Sequence, residues 1–286
     1  MKLIYLILAH NHPEQLERMI EVLNHKNAEF IIHVDKKSDI KQFLTGKLLA
    51  FKNVVFLKKR LPVNWGGYNM VAATLSLMKA ALRHNKKGCL ILLSGHDFPI
   101  KPAEHIYDLL SSNYGNQYVE YFSLPTNEWS MNGGIDRIAY YWFVDKLGGD
   151  ESMELYSLQK NAGKTRHYFQ NFTPYGGSQW WILTCECADY ILKFINCNTI
   201  YKEYYELTFI PDEMFFHSII LNSPFKGNVQ NNNLRYIDWK TGPETPRILT
   251  SDDLNTLFGS DKLWARKFDI NRAPLVLDQI EEKLSL

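Results

Sequence analysis

Two short segments in the last third of the chain carry side chains suited to group transfer. Glu213 lies in Pro211-Asp212-Glu213, directly ahead of an apolar run, and Arg266 is followed by Lys267. A carboxylate in a cleft can take a proton from a hydroxyl group, and neighbouring cations can neutralise a negatively charged leaving group. Each pattern also has a structural explanation, because a carboxylate at a helix N-terminus can cap the helix or interact with its dipole, and a basic pair can simply be solvated. Residue types alone leave both explanations open.

Three other patterns suggest a nucleotide site, a metal site or a disulfide framework, and none of them is complete. Gly163-Lys164-Thr165 resembles the end of a phosphate-binding loop, but Leu158 stands where that loop needs glycine, and no Gly-x-Gly-x-x-Gly follows the first predicted strand. His10-x-His12 is stopped by Pro13, so we expect two solvated loop histidines rather than metal ligands. The four cysteines are too few for a disulfide framework in 286 residues, and we expect reduced thiols.

An alternation of strands and helices must position these side chains. Short apolar runs predict buried strands, and the helices between them have apolar residues at the i, i+3, i+4 and i+7 spacing. Strands that are apolar on both faces, separated by amphipathic helices, indicate a mostly parallel sheet covered on both sides. The predicted strands span 3–9, 30–34, 54–57 and 89–93, and the predicted helices span 13–23 and 71–82.

Polar side chains follow each of these strands. Ligands in open α/β sheets lie beyond the carboxyl ends of the strands, so His10, Asp35, segment 60–65 and segment 94–97 are predicted to form one functional edge. Further along, the sequence predicts a strand at 180–184, a helix at 213–221 and a strand at 234–238. No repeat, low-complexity tract or Gly/Ser linker divides the chain, so we expect a single domain over residues 1–286.

The composition excludes several classes of protein. Hydrophobic residues make up 45% and charged residues 22%, which is typical of a globular chain and not of a disordered tail, a coiled coil or a collagen. With 32 Lys+Arg against 31 Asp+Glu there is no basic surplus for a nucleic-acid backbone, and the run Lys58-Lys59-Arg60 needs another explanation. The apolar runs are shorter than the about 20 residues of a membrane-spanning helix, so we expect no transmembrane segment and no signal peptide.

Nine short segments follow one another along the chain. Each is weak evidence for a family by itself, but the whole set in this order is specific. They are Leu6–His10, Pro13–Leu16, Ile32–Ser38, Val63–Tyr68, Leu93–Ile100, Gly176–Trp181, Pro211–His217, Asn232–Arg235 and Ala265–Asp269. Together these segments resemble the core-2/I-branching and peptide O-xylosyltransferase family, which is glycosyltransferase family 14. The resemblance extends over nearly the whole chain.

This resemblance implies a GT-A-like α/β glycosyltransferase, with a mostly parallel central sheet flanked by helices, that transfers a sugar from a UDP donor with inversion. It also implies catalysis without the Asp-x-Asp metal motif usual in that fold. The fifteen aspartates of this chain include no pair two residues apart, so we expect no metal site and no cofactor. Vertebrate members carry a membrane anchor and disulfides, which are not found here, and we therefore expect a bacterial catalytic domain in the cytoplasm.

The resemblance also assigns roles to individual residues. Glu213 is the implied base that deprotonates the acceptor, and Asp35 is placed to accept a hydrogen bond from uracil N–H. Trp239 matches an acceptor platform, with a buried core tryptophan as the alternative, whereas Asp97 and Asp212 are expected to be structural. The implied donor-binding residues are Leu8, Asp35, Val63, Asn64, Trp65, Gln179, Trp180, Arg247, Arg266 and Lys267.

The expected function is transfer of a sugar, with N-acetylglucosamine as the first choice, from a UDP donor to a hydroxyl of a glycan or glycolipid. Xylose is the nearest rival, although xylosyl-transferring members have an acidic residue where Gln179 stands. A non-catalytic carbohydrate-binding protein is the rival from another class, and Glu213, Arg266 and Lys267 together argue against it because binding alone needs no base. The expected partners are the UDP-sugar, the acceptor and, peripherally, the inner face of a membrane, but no nucleic acid.

Overall fold

The computed structural model describes residues 1–240 and 245–285, in which strands and helices alternate. In chain order the strands are β1 (Lys2–Ala9), β2 (Ala28–Val34), β3 (Val54–Phe56), β4 (Gly88–Ser94), β5 (Phe98–Pro99), β6 (Gln117–Ser123), β7 (Tyr175–Thr184), β8 (Val229–Gln230), β9 (Arg235–Ile237) and β10 (Trp264–Arg266). The helices are α1 (Pro13–Leu23), α2 (Gly46–Ala50), α3 (Asn69–Leu82), α4 (Ala103–Ser112), α5 (Ser130–Gly133), α6 (Ile135–Ala139), α7 (Val144–Leu147), α8 (Gly149–Asn161), α9 (Cys185–Cys197), α10 (Thr199–Tyr205), α11 (Phe215–Leu221), α12 (Leu254–Gly259) and α13 (Pro274–Leu284).

The central sheet has seven strands in the order β3-β2-β1-β4-β7-β6-β8. The pairs β1–β2, β1–β4, β2–β3 and β6–β8 are parallel, whereas β7 is antiparallel to both β4 and β6. A smaller sheet, β5-β10-β9, carries the segment that leads into Lys267. The predicted α/β architecture, with a mostly parallel central sheet flanked by helices, is therefore confirmed.

Two hydrophobic clusters explain why the strands are apolar on both faces. Leu3, Tyr5 and Ile7 of β1 pack in one cluster with α1 and α13, and Ile4 and Leu6 pack in the other with α3, α9 and α11. Because successive side chains of a strand point to opposite faces, helices on both sides of the sheet require an uninterrupted apolar run. None of the helices within residues 1–240 and 245–285 is long and apolar enough to cross a lipid bilayer.

One predicted helix is wrong in its first residues. The sequence predicts a helix over 213–221, but the structure has a 3-10 turn at Pro211–Glu213 and begins α11 only at Phe215. Ile210 has φ 46° and Met214 has non-helical backbone angles, so the chain changes direction on both sides of the turn. Glu213 is therefore presented by a short turn and not by the first turn of an α-helix.

The strand order reverses at β1, which is the point where a ligand cleft is expected. β1 has β2 on one side and β4 on the other, so the connections after β1 and β4 leave in opposite directions. Clefts in α/β sheets form at the carboxyl ends of strands at such a switch point. His10, Asp35 and the turn after Ser94 meet there.

Candidate active site

Asp35 follows β2 and anchors the loop that carries three of the predicted donor-binding residues. Its backbone N–H donates to the carbonyl of the last residue of β1 at 2.8 Å. Its carboxylate accepts from the N–H of Lys37 at 2.8 Å and from the N–H of Val63 at 3.3 Å. The Lys37 ammonium donates to the Val63 carbonyl at 2.6 Å and to the Asn64 side chain at 3.1 Å. The structure therefore brings Asp35, Val63, Asn64 and Trp65 together.

A glycine turn joins this loop to the segment that carries Glu213. Gly66 has φ +77°, a backbone conformation that favours glycine, and a Cβ there would lie 2.7 Å from the Phe209 ring. The Gly66 carbonyl accepts from the N–H of Ile210 at 2.9 Å, directly before the turn that bears Glu213. The ring of Trp65 is 66% exposed and lies edge-on to Phe209, with 5.6 Å between centroids.

Glu213 follows the residues that contact Gly66 and is held by the guanidinium of Arg137. Its Oε2 accepts from Arg137 NH1 at 2.7 Å, and the side chain of Glu213 is 29% exposed. Arg137 is itself fixed by stacking on Trp129, with its guanidinium carbon 3.7 Å from the ring centroid. Because the partner of Glu213 is Arg137 and not an N–H of α11, the helix-cap alternative is wrong.

The neighbouring carboxyl group, Asp212, is buried. Burial raises the pKa of Glu213, and Arg137 opposes this shift. Burial, together with the charge of Glu213, raises the pKa of Asp212. Glu213 has the hydrogen bond to a guanidinium that Asp212 lacks, so Glu213 is the carboxyl group of this pair that more readily ionises. An ionised carboxylate is the form that a general base requires.

A buried cluster of opposite charges lies at the end of β4. Asp97 accepts from the backbone N–H of Ser94 at 2.5 Å and from its hydroxyl at 2.7 Å, so it stabilises the turn as expected. It also pairs with Arg235 at 2.9 Å, with both side chains fully buried, and Arg266 lies 3.9 Å away. The guanidinium carbons of Arg266 and Arg235 are 4.2 Å and 5.4 Å from the ring centroid of Trp180. The carboxylate of Asp97 thus faces two guanidinium groups, and the charge of Glu120 also acts on Arg235.

Nε and NH1 of Arg266 are buried without a hydrogen-bond partner, and so is Nε2 of Gln179, the residue before Trp180. Lys267 follows Arg266, and its pKa is lowered by half-burial and by the adjacent guanidinium. Buried N–H groups without acceptors cost free energy, and an anionic, oxygen-rich ligand would satisfy them. Of the predicted residues, Trp180 and Arg266 thus lie in contact, and Gln179 and Lys267 are their neighbours along the chain.

His10, which the sequence placed at this edge, lies near residues from both sides of the cleft. Burial and Lys267 lower the pKa of His10, whereas Asp35 opposes the shift, so His10 lies close to both residues. The rings of His10 and His12 lie 5.2 Å and 5.4 Å from the ring of His96. The expectation of two solvated histidines is wrong for His12, which is 13% exposed and lies 3.5 Å from Asp269. Within the described parts of the chain, no three His, Cys, Asp or Glu side chains are arranged to hold a metal ion.

The remaining predicted residues are Leu8, Arg247 and Trp239. Leu8 is buried in β1, and its carbonyl accepts from the N–H of Gly95 at 3.0 Å. The guanidinium of Arg247 donates to Asp238 at 3.0 Å and to Asp253 at 2.5 Å, so its contact with a donor stays a prediction. Trp239 is 50% exposed, and the buried-core alternative for this residue is therefore wrong.

Sequence reasoning missed residues that act across large separations along the chain. Arg137 contacts Glu213 over 76 positions, and Arg235 pairs with Asp97 over more than a hundred. Sequence reasoning also missed Glu120 of β6. Burial raises the pKa of Glu120, and its Oε2 accepts from Asn233 at 2.9 Å. Charged residues after apolar strands signalled Asp97, but no local pattern pointed to Arg137 or Glu120.

The chain is similar in sequence to known proteins over most of its length. The sequence matches the family described as Core-2/I-Branching enzyme over residues 3–258. It is 27% identical over 248 residues to a xylosyltransferase of Ciona intestinalis, with 83% of this chain and 27% of the relative covered. It is 25% identical over 251 residues to human xylosyltransferase 1, with 83% and 24% covered, and 26% identical over 302 residues to a Drosophila pseudoobscura xylosyltransferase, with 94% and 32% covered. The chain thus spans about a quarter to a third of the length of these relatives.

Solved structures are more distant. The crystal structure of Staphylococcus aureus TarS 1-349 has a TM-score of 0.41 and 13% identity, with 80% of this chain and 57% of that chain covered. The galactosyltransferase LgtC, solved with donor and acceptor sugar analogues, has a TM-score of 0.43 and 10% identity, with 99% and 95% covered. Scores this low carry no argument about fold or function. The family match, by contrast, extends over most of the sequence, and this chain belongs to the Core-2/I-Branching enzyme family.

Proposed function

We propose that this chain is an inverting, metal-independent glycosyltransferase on a GT-A-like fold. Glu213 takes the proton of an acceptor hydroxyl, the acceptor oxygen forms the new bond to the anomeric carbon of a UDP-sugar, and the bond from that carbon to the diphosphate oxygen breaks. UDP leaves with the electron pair of that bond. Its charge is met by Arg266 and Lys267 in place of a divalent ion.

The observation that carries this proposal is the lack of hydrogen-bond acceptors for the guanidinium of Arg266. Its Nε and NH1 are buried without a hydrogen-bond partner, and the nearby carboxylate of Asp97 already pairs with Arg235 at 2.9 Å. Fixed, desolvated donors on a cation suit a developing diphosphate charge better than they suit a neutral glycan. This arrangement favours an enzyme over a non-catalytic carbohydrate-binding protein.

The proposed donor sugar rests on the similarity of this chain to its family. N-acetylglucosamine is our first choice, and Gln179 supports it because the resemblance places an acidic residue there in xylosyl-transferring members. Xylose is the second choice, favoured by the names of the curated relatives. The acceptor would be a hydroxyl of a glycan or glycolipid.

A panel of UDP-sugars tests the donor and the reaction class together. Purified protein should slowly hydrolyse one UDP-sugar, N-acetylglucosamine or xylose, faster than the others, and calorimetry should show binding of UDP. A protein that binds glycans but produces no heat with UDP would be the non-catalytic alternative. The anomeric configuration of the transferred sugar, measured by NMR, decides between inversion and retention.

Glu213→Gln tests the base. The amide keeps the shape of the side chain but cannot accept the proton, so transfer should fall by about 10²–10⁴-fold. UDP affinity, measured by calorimetry, should stay near that of the wild type. A variant that transfers at the wild-type rate would remove Glu213 from this role.

A further inference from the structure

A cavity of about 1320 Å³ lies away from the cleft, between the second half of α3 and the edge strand β3. Its floor includes Ile31, Val55 and Leu57, and Val55 is 53% exposed. Its walls come from β3, from α3 and from the loops that precede β2 and β3. Seven cations line it, of which Lys2 pairs with Glu29. We call the surface formed by the other six the basic groove: Lys26, Lys52, Lys58, Lys59, Lys79 and Arg83.

Little acidic charge faces the basic groove. None of the six cations forms an ion pair with any residue that the structure describes. The acidic residue in the lining is Glu29, which already pairs with Lys2 at 3.5 Å and accepts from Asn85 at 2.8 Å. Since the whole chain has a formal charge of only +1, this excess is local.

The basic groove accounts for the run Lys58-Lys59-Arg60. Arg60 turns towards the cleft, where it donates to the carbonyls of Asp35 and Ser38 at 3.1 Å and 3.0 Å, while Lys58 and Lys59 line the groove. Lysines beside an edge strand can also serve to prevent edge-to-edge pairing. That explanation does not extend to Lys79 and Arg83, which belong to α3 and its C-cap.

We propose that the basic groove docks this protein on an anionic lipid bilayer. Clusters of four to eight Lys and Arg side chains are typical of surfaces that bind anionic headgroups, and exposed Val55 adds an aliphatic contact at the interface. Five of the six cations are lysines, whose point charges suit a diffuse negative surface better than the planar recognition for which arginine is favoured. This composition favours a bilayer over a nucleic acid or a single acidic peptide.

The position of the groove leaves the cleft free. Lys2, Ala28 and Glu29, at the starts of β1 and β2, line one end of the basic groove, and Lys58 and Lys59, beyond β3, line the other end. The candidate active site lies beyond the carboxyl ends of β1 and β2, and Arg60 separates the two surfaces along the chain. A docked protein therefore keeps its cleft open to a soluble nucleotide donor. Docking does not depend on the proposed transfer reaction, and it is measured without it.

Co-sedimentation with lipid vesicles tests the proposal. The wild type should bind vesicles of phosphatidylcholine mixed with phosphatidylglycerol, should not bind phosphatidylcholine alone, and should be released as salt rises. Each cation at an anionic surface contributes about fivefold to partitioning, so Lys58→Gln with Lys79→Gln should bind about thirtyfold more weakly. UDP affinity of this variant should stay unchanged, which also shows that it is folded.

The matched control removes two exposed lysines elsewhere, Lys164→Gln with Lys283→Gln, and should bind anionic vesicles as the wild type does. If both double variants lose the same amount of vesicle binding, binding depends on the net charge and not on the groove, and the proposal would be wrong. It would also be wrong if the wild type stays in the supernatant with anionic vesicles. Binding of a polyglutamate peptide in that case would identify the groove as a peptide site.

Discussion

A buried carboxylate serves as a base at neutral pH only if a neighbouring charge keeps it ionised. Burial raises the pKa of Glu213, and the Arg137 guanidinium at 2.7 Å opposes that shift. Asp212 lacks this hydrogen bond, and its pKa is raised by burial and by the charge of Glu213. We therefore infer that Arg137 sets the lower pH limit of the reaction through Glu213.

Arg137→Gln should move the acidic limb of the profile of kcat/KM against pH to higher pH. Removing the cation raises the pKa of Glu213 further, so a higher pH is needed before the carboxylate can accept a proton. Arg137→Lys keeps the charge and should return the limb towards its wild-type position. A limb that does not move in Arg137→Gln, while stability falls, would limit Arg137 to a structural role.

Trp239→Ala should raise the KM for the acceptor by about fivefold, since an aromatic contact is worth roughly 1 kcal/mol. The KM for the donor should not change, because the ring is 50% exposed and is proposed to contact the acceptor. Steady-state kinetics with each substrate varied in turn separates the two constants. A rise in the donor KM alone would place Trp239 on the donor side.

At the scale of elements, three strands that are distant in the sequence meet at one buried carboxylate. Asp97 follows β4, Arg235 begins β9 and Arg266 ends β10, and the Asp97–Arg235 pair is fully buried. Removing one member of such a pair leaves an uncompensated charge inside the protein. Loss of either member should therefore destabilise the protein where the two sheets meet.

Asp97→Asn should lower the free energy of unfolding by about 3–5 kcal/mol, measured by urea denaturation. The matched control is Asp189→Asn in α9, whose ion pair with Lys193 is solvent-exposed. That change should cost less than about 0.5 kcal/mol. Similar losses in the two variants would contradict the proposed importance of the buried pair.

The formal charge of the whole molecule is only +1, but its cations are concentrated at two places. One cationic group lies in the cleft around Arg266 and Lys267, and another lines the basic groove. The response of this protein to salt should therefore come from two local surfaces rather than from its net charge.

Transfer should persist in excess EDTA, because Arg266 and Lys267 are proposed to meet the diphosphate charge. UDP affinity should fall as ionic strength rises. Lys267→Ala should weaken UDP far more than uridine, which lacks the phosphates, and Lys267→Arg should restore UDP affinity only in part, since a planar fork replaces a point charge. Activity that is lost in EDTA and recovered with Mn²⁺ would refute the metal-independent mechanism.

The sequence by itself determined the α/β architecture and the segments that form the cleft. Apolar runs fixed β1, β2 and β4, and helical spacing fixed α1 and α3, because burial on two faces leaves a local pattern. Ordered motifs indicated the family, and the polar residues after the strands indicated the functional edge. Such patterns depend on neighbours along the chain, so they can be recognised from the sequence alone.

Only the tertiary structure decided which side chains act together. The contacts of Arg137 with Glu213, of Asp97 with Arg235, and of His10 with both halves of the cleft join residues that are far apart in the chain. The basic groove likewise contains lysines from separate elements. Trp239 is exposed, whereas the sequence allowed a buried core tryptophan as an alternative. Ion pairing and burial depend on distance in space, which local spacing does not encode.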